Sequence, residues 1–172
     1  MSFVPGRRWR SCRRSRVAEV RLEPGPLEPD RALREFLDGA NGEGAVVSFV
    51  GIARPASRDG VAVTGLYLDH YPGMTEASLA TIAADSEARF GGTRAMVVHR
   101  YGQVNAGEAI VFVAAASKHR RSAFEAADYM MDRLKTEAAF WKREHRIDGA
   151  AWIEPTEQDR ADTQRWSEAC PE

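Results

Sequence analysis

The chain alternates between segments in which apolar residues are spaced as in strands and segments in which they are spaced as in helices. Period-two alternation or a short apolar run is typical of a strand, whereas apolar residues three and four apart are typical of a helix. Together these elements predict one α+β domain, with helices packed against a mostly antiparallel sheet. Strands are predicted over 17–22, 45–50, 61–71, 94–104, 108–117 and 149–154, and helices over 30–39, 74–90 and 119–138.

Four local details follow from individual residues. Asp30 is the candidate N-cap of the first helix, and Leu37 belongs to its predicted buried stripe. Gly65 favours a bulge in the third strand. The sequence 105–107, Asn-Ala-Gly, predicts a hairpin turn between the two strands that flank it.

The formal net charge of -1 hides an uneven distribution. Residues 1–16 contain six arginines and no acid, so the rest of the chain is acidic. The leader fits a nucleic-acid arm or a transit peptide. A disordered extension or an upstream start codon is the simpler explanation, because no amphipathic spacing organises the arginines. An acidic body argues against general nucleic-acid binding, so any anion site must be local.

Length and composition indicate a single domain in a reducing compartment. The 172 residues contain no apolar run near the roughly 18 that a membrane helix needs. The two cysteines have no metal-binding or disulfide-framework spacing, so we expect no metal and a cytoplasmic location. We divide the chain into the leader 1–16, a domain over 17–155, and an acidic tail or short helix over 156–172.

Five cationic or titratable residues are candidates for an anion site. If the last long helix continues far enough, Lys135 and Lys142, seven residues apart, project from one face about 10 Å from each other. His119 and Arg120 lie at the start of that helix, where unpaired backbone N–H groups favour anions. Arg54 follows a predicted strand and offers a guanidinium fork.

Each candidate also has a simpler explanation. The lysine pair fits a solvated helix face with Asp132 as an ion-pair partner. His119 fits a structural histidine, and Arg54 fits an ordinary exposed loop residue. The residues alone therefore predict an anion site and no particular reaction.

Four sequence blocks carry a resemblance: 44–54, 99–102 with 107–108, 117–120 with 123–126, and 132–135 through 140–144. In order and approximate spacing they resemble the large catalytic subunit of molybdopterin synthase. The similarity covers 17–154. Two positions depart from the family pattern: Ala53 stands where a branched residue is common, and Ala139 where a proline is usual.

This resemblance implies a fold, a reaction and partners. The family has an α+β fold with a hammerhead-like subdomain, and two large subunits form a central homodimer within a heterotetramer. Each is flanked by a small ubiquitin-like subunit whose Gly-Gly tail ends in a thiocarboxylate. Sulfur passes from that tail to cyclic pyranopterin monophosphate, which gives the dithiolene of molybdopterin without a metal or organic cofactor.

The resemblance also assigns roles to the candidate residues. Lys135 matches the lysine regarded as most important for catalysis, and Lys142 matches a second pocket lysine. Arg54, His119 and Arg120 match residues that line the substrate site. Two other functions remain open: a non-catalytic subunit that binds a phosphorylated pterin, and a nucleic-acid-binding protein that uses its arginine-rich leader.

Overall fold

The structure is a computed structural model that describes residues 18–167, so the predicted leader lies outside the described residues. No helix in this range is long and apolar enough to cross a membrane. The range contains eight strands and four helices. In chain order these are β1 (Glu19–Glu23), α1 (Pro29–Asp38), β2 (Ala45–Ile52), β3 (Val63–His70), α2 (Met74–Arg89), β4 (Arg94–Arg100), β5 (Gly102–Asn105), β6 (Ala109–Ser117), α3 (Arg120–Thr136), β7 (Phe140–Arg146), β8 (Gly149–Ile153) and α4 (Glu157–Gln164).

The strands form two four-stranded sheets. The first sheet has the order β1-β4-β6-β2, in which β1 runs parallel to β4 and the other neighbours are antiparallel. The second sheet has the order β5-β3-β7-β8 and is antiparallel throughout. The predicted α+β class with mostly antiparallel strands is confirmed.

The central strands of the first sheet are buried on both faces. Val97 and Val113 pack against α2 and α3 on one face. Met96 and Phe112 pack with Phe36 of α1 on the other. Burial on both faces explains why β4 and β6 are almost continuously apolar, and each large side chain buried here contributes about 1.5–3 kcal/mol.

The second sheet forms a smaller core on its inner face. Leu66, Leu68 and Val104 are buried there, with Phe140 packed against them. The predicted bulge is present, because the pairing of β3 with β7 shifts register just before Gly65. A Cβ atom at Gly65 would lie 2.5 Å from the carbonyl oxygen of Val104, so the close approach of β5 requires glycine at this position.

The predicted strand 94–104 is in fact two strands in different sheets. Gly102 has a φ of +76°, a left-handed conformation that turns the chain from β4 into β5. The predicted hairpin at 105–107 is therefore wrong, since β5 and β6 lie in different sheets. The antiparallel neighbour of β6 on this side is β4, where His99 pairs with Val111.

Two details of α1 also differ from the prediction. Its N-cap is Glu28, with Pro29 in the first turn, so Asp30 lies inside the helix and does not cap it. Proline is favoured here because its fixed φ suits a helix and its missing N–H needs no partner. Leu37 is 46% exposed, whereas Phe36 faces the core.

Helix α4 continues the chain beyond the predicted domain and packs against α3. The Thr163 hydroxyl donates to the carbonyl oxygen of Asp132 at 3.0 Å. The Trp166 indole N–H donates to the Asp132 carboxylate at 2.7 Å, and its ring meets Tyr129 edge to face. Of the two alternatives for this segment, residues 157–164 adopt the helix.

Candidate active site

A cavity of about 490 Å³ lies between the two sheets at the C-terminal end of α3. This volume is in the range of small-molecule sites. Leu66 and Leu68 supply part of an apolar wall. Three of the predicted cations, Arg54, Lys135 and Lys142, also line the cavity.

The two lysines reach the cavity from different elements. Lys135 lies in the last turn of α3, which ends at Thr136, and Lys142 lies on β7. The prediction that one helix carries both is therefore wrong. The chain reverses in a tight turn in which the Phe140 N–H donates to the carbonyl oxygen of Ala138 at 2.8 Å. Side chains alternate along β7, so Phe140 and Lys142 share the face that lines the cavity.

Strand β7 was not predicted from the spacing of apolar residues, although a turn sequence next to it indicates a hairpin. Asp148-Gly149 is a strong hairpin signal, and a strand that begins at Gly149 needs an antiparallel partner. In the structure Arg146 pairs with Gly149, and β7 and β8 form that hairpin. The hairpin places Lys142 opposite Ile153, which also lines the cavity.

The electrostatic environment of Lys142 lowers the pKa of its ammonium group to about 8. Burial is the main cause, because a low-polarity environment disfavours the charged form. The positive charge of Lys135 lowers this pKa further, and the negative charge of Asp159 partly opposes both effects. Lys142 can therefore donate a proton near neutral pH far more readily than an ordinary lysine.

Asp159 brings a carboxylate to the lysines from α4. Thr156 fixes it, because the Thr156 backbone N–H donates to its carboxylate at 2.7 Å. A guanidinium nitrogen of Arg58 lies 3.6 Å from a carboxylate oxygen of Asp159. Burial tends to raise the pKa of Asp159, but its bonds with Thr156 and the charges of Lys135 and Arg58 hold that pKa below its ordinary value. Sequence reasoning missed Asp159, which lay in the segment expected to be a tail.

His99 is a second lining residue that the sequence did not single out. Its ring is 3% exposed and stacks on Phe140 with centroids 4.1 Å apart. Nδ1 lies 2.7 Å from the carbonyl oxygen of Arg100. Burial, together with the charges of Lys142 and Lys135, lowers the pKa of His99 to about 3.

The remaining predicted site residues lie in two different places. Arg54 is exposed and follows Ala53, whose backbone N–H donates to the carbonyl oxygen of Glu108 at 2.9 Å. His119 is the N-cap of α3 and Arg120 is its first residue, and both are exposed. They lie 15–16 residues before Lys135, which corresponds to about 22–24 Å along a helix. Within one chain they do not line the cavity.

No group of three or more histidine, cysteine, aspartate or glutamate side chains between residues 18 and 167 is arranged to hold a metal ion. The charged side chains that line the cavity are five cations and three carboxylates, so positive charge is in excess: Arg54, Arg58, Lys135, Lys142, Arg146, Glu144, Glu154 and Asp159.

The described residues form an α+β fold of two four-stranded sheets, with helices on the first sheet and, between the sheets, a cavity lined by five cationic and three acidic side chains. The family model described as MoaE protein matches residues 22–137. This chain belongs to the MoaE family.

Similar proteins support that assignment. The molybdopterin synthase catalytic subunit of Caulobacter vibrioides is 48% identical over 149 residues, which cover 87% of this chain and 97% of that protein. The solved structure of a molybdopterin biosynthesis MoaE protein from Burkholderia ambifaria is 35% identical, with a TM-score of 0.74 over 87% of this chain and 98% of that chain. A complex of subunits 1 and 2 of molybdopterin-converting factor from Helicobacter pylori shares the fold, at 21% identity and a TM-score of 0.66 over 81% of this chain and 91% of that chain.

Proposed function

We propose that this chain is the catalytic subunit of a molybdopterin synthase, a sulfurtransferase of molybdenum cofactor biosynthesis. It transfers sulfur from the thiocarboxylated tail of a small ubiquitin-like subunit to cyclic pyranopterin monophosphate, and so forms the dithiolene of molybdopterin. The observation that carries the proposal is the convergence of Lys135 and Lys142, from two different elements, on one cavity. Relatives that carry this name and activity support it.

The physical need for these lysines follows from the two substrates. A thiocarboxylate and a cyclic phosphate are both anions. Two like charges 4 Å apart repel by about 4 kcal/mol at an effective dielectric constant of 20. Two ammonium groups and the Arg54 guanidinium offset that repulsion. All three line the cavity in the absence of substrates, so these positive charges are preorganised.

The surroundings of each cation suggest its role. Lys135 binds the thiocarboxylate end, stabilises the charge that develops when sulfur attacks the pterin, and can also transfer a proton. Lys142 assists, and its pKa of about 8 suits it to donate a proton during the reaction. Arg54 holds phosphate oxygens through its planar fork of donors.

His119 and Arg120 require a second copy of the chain in this scheme. They lie at the far end of α3 from Lys135, so one chain cannot bring all the proposed residues to one ligand. In a homodimer, the start of α3 in one copy would complete the cavity of the other, where Arg120 holds the phosphate and His119 orients the pterin. The small subunits would flank this dimer, and a cytoplasmic location remains a prediction.

The direct test is to mix the chain with a thiocarboxylated small subunit and cyclic pyranopterin monophosphate. We expect dithiolene product, detected by mass spectrometry. If the pterin binds tightly and no sulfur is transferred, the chain is a non-catalytic pterin-binding subunit. If neither binding nor product is detected, the proposed function is wrong.

A further inference from the structure

His99 lines the cavity, and one contact fixes the tautomer of its ring. Its Nδ1 lies 2.7 Å from the carbonyl oxygen of Arg100. A carbonyl oxygen only accepts hydrogen bonds, so Nδ1 carries the proton and Nε2 carries a lone pair. Among residues 18–167, the bond from Nδ1 is the only hydrogen bond of this ring.

The ring also stays uncharged. It is almost fully buried, it stacks on Phe140, and it shares the cavity with Lys135 and Lys142. Burial and these two positive charges disfavour a further proton, so the pKa of His99 falls to about 3. At neutral pH, Nε2 is therefore a hydrogen-bond acceptor without charge.

The charged side chains of the cavity do not duplicate this property. The uncharged Thr136 hydroxyl also lines the cavity, but it is already paired with the Thr163 hydroxyl at 3.0 Å and donates to the carbonyl oxygen of Asp132 at 3.2 Å. Lysine and arginine only donate hydrogen bonds. The Glu144 carboxylate accepts from Arg146 at 2.9 Å, and that of Asp159 accepts from Thr156. These two carboxylates and that of Glu154, which also lines the cavity, carry a negative charge that repels a phosphate. His99 supplies an acceptor that an anionic ligand can approach without this repulsion.

We propose that His99 is a specificity-determining residue whose Nε2 accepts a hydrogen bond from an uncharged N–H group of the pterin ring. This inference rests on the proposed function. The phosphate and the thiocarboxylate offer acceptor oxygens, which the cations bind, whereas the ring N–H groups need an acceptor. The flat stack of His99 on Phe140 and the apolar side chains beside it suit a flat heterocycle.

Two substitutions separate the two ring nitrogens. His99→Asn keeps an N–H near the position of Nδ1 and removes the acceptor at Nε2, whereas His99→Gln offers an amide oxygen near the position of Nε2. Calorimetry on the full chain would measure the dissociation constants of cyclic pyranopterin monophosphate and of ribose cyclic phosphate, which has no pterin ring and therefore no ring N–H group. We expect His99→Asn to bind the pterin about tenfold more weakly, the loss typical of one hydrogen bond.

The remaining measurements are controls. We expect His99→Gln to bind the pterin within about threefold of the unmodified chain, and both variants to bind ribose cyclic phosphate equally well. The inference is overturned if His99→Asn binds the pterin normally, or if both ligands weaken together. Pterin binding and turnover by the unmodified chain test the proposed function separately, so the two failures are distinguishable.

A measurement on the unmodified chain avoids any effect of substitution on folding. The ¹⁵N chemical shift of Nε2 in a neutral imidazole moves when that nitrogen accepts a hydrogen bond. We expect it to move when the cyclic pterin is added and to stay constant when the small subunit is added alone. A shift with the small subunit alone would assign the donor to the peptide tail, and no shift with bound pterin would also refute the inference.

Discussion

At the scale of single residues, the two cavity lysines differ in how much the fold depends on them. Lys135 is exposed at the end of α3. We expect Lys135→Ala to change the free energy of unfolding by no more than about 0.5 kcal/mol, as is usual for exposed positions. The rate of product formation should nevertheless fall below about a tenth of that of the unmodified chain, which corresponds to a loss of more than about 1.4 kcal/mol of transition-state stabilisation.

Thermal unfolding and mass spectrometry of the product check both parts of this prediction. Arg34→Ala, at an exposed position on α1, is the matched control and should leave activity unchanged. Lys135→Arg should also be poor, because arginine keeps the charge and cannot readily release a proton. Normal turnover by Lys135→Arg would reduce the role of Lys135 to electrostatics.

The pKa of Lys142 gives a second prediction at this scale. Because the charge of Lys135 lowers this pKa and the charge of Asp159 raises it, Lys135→Ala should move it upward from about 8 and Asp159→Asn should move it downward. NMR titration of labelled lysine side chains measures both shifts, and the chain has only three lysines to assign. Equal titration in both variants would show that the three groups do not interact.

The sequence identified some of these residues and missed others for a physical reason. The sequence singles out Arg54, Lys135 and Lys142 because residues 17–172 are acidic as a whole, so cations brought together there are candidates for an anion site. His99 and Asp159 were missed as functional candidates because their importance comes from burial and neighbours, which only the folded chain defines. A lone histidine in an apolar strand gives no sign of which nitrogen faces a cavity.

At the scale of elements, the turn between α3 and β7 decides where Lys142 points. The Phe140 N–H donates to the carbonyl oxygen of Ala138, and the structure has no positive φ at non-glycine residues within 18–167, so Ala139 is the centre of an inverse γ-turn. The φ of such a residue, about -75°, is close to that of proline. Ala139 is also the position where the resembled family usually has proline.

We therefore expect Ala139→Pro to be tolerated. Proline restricts the unfolded chain and so lowers its conformational entropy. At a compatible site this stabilises the folded protein by about 0.4–1 kcal/mol. It also removes the Ala139 N–H that donates to the Ser78 hydroxyl over a long 3.3 Å, a loss of similar size. Chemical denaturation should show a net change within about 1 kcal/mol, with activity retained. Destabilisation well beyond that would show that the turn has a different backbone geometry.

The same turn explains why the predicted helix ran too far. Glu137-Ala138-Ala139 follows Thr136 without a glycine or proline, and glutamate and alanine are good helix formers. The usual proline of the family would have marked the helix end. In this chain tertiary pairing of β7 with β3 ends the helix, and a local pattern cannot report that pairing.

At the scale of the whole molecule, the cavity is built from distant parts of the sequence. The residues that line it are spread along the chain between Phe49 and Asp159, and they come from both sheets, from α3 and from α4. The period of each segment predicted the α+β class, because that class depends on element type. The spacing of apolar residues did not predict the division into two sheets, because that division depends on the turn at Gly102. It therefore did not predict the cavity between the sheets either.

The separation of Arg120 from Lys135 allows a decisive test of the proposed shared cavity. Suppose Lys135→Ala and Arg120→Ala each abolish activity. In a mixed dimer of the two variants, one cavity carries both changes and the other carries neither. If mixing is random, half of the dimers are mixed, so about a quarter of the cavities should be active. Co-expression of differently tagged chains, followed by the product assay, measures this recovery.

The control for this experiment uses two lysines that line the same cavity of one chain. A mixed dimer of Lys135→Ala and Lys142→Ala has one defect in each cavity, so it should recover no activity. Recovery in the first mixture and not in the second requires that Arg120 act on the cavity of the partner copy. If neither mixture recovers, Arg120 acts within its own chain or outside the reaction, and the proposed role of the second copy is wrong.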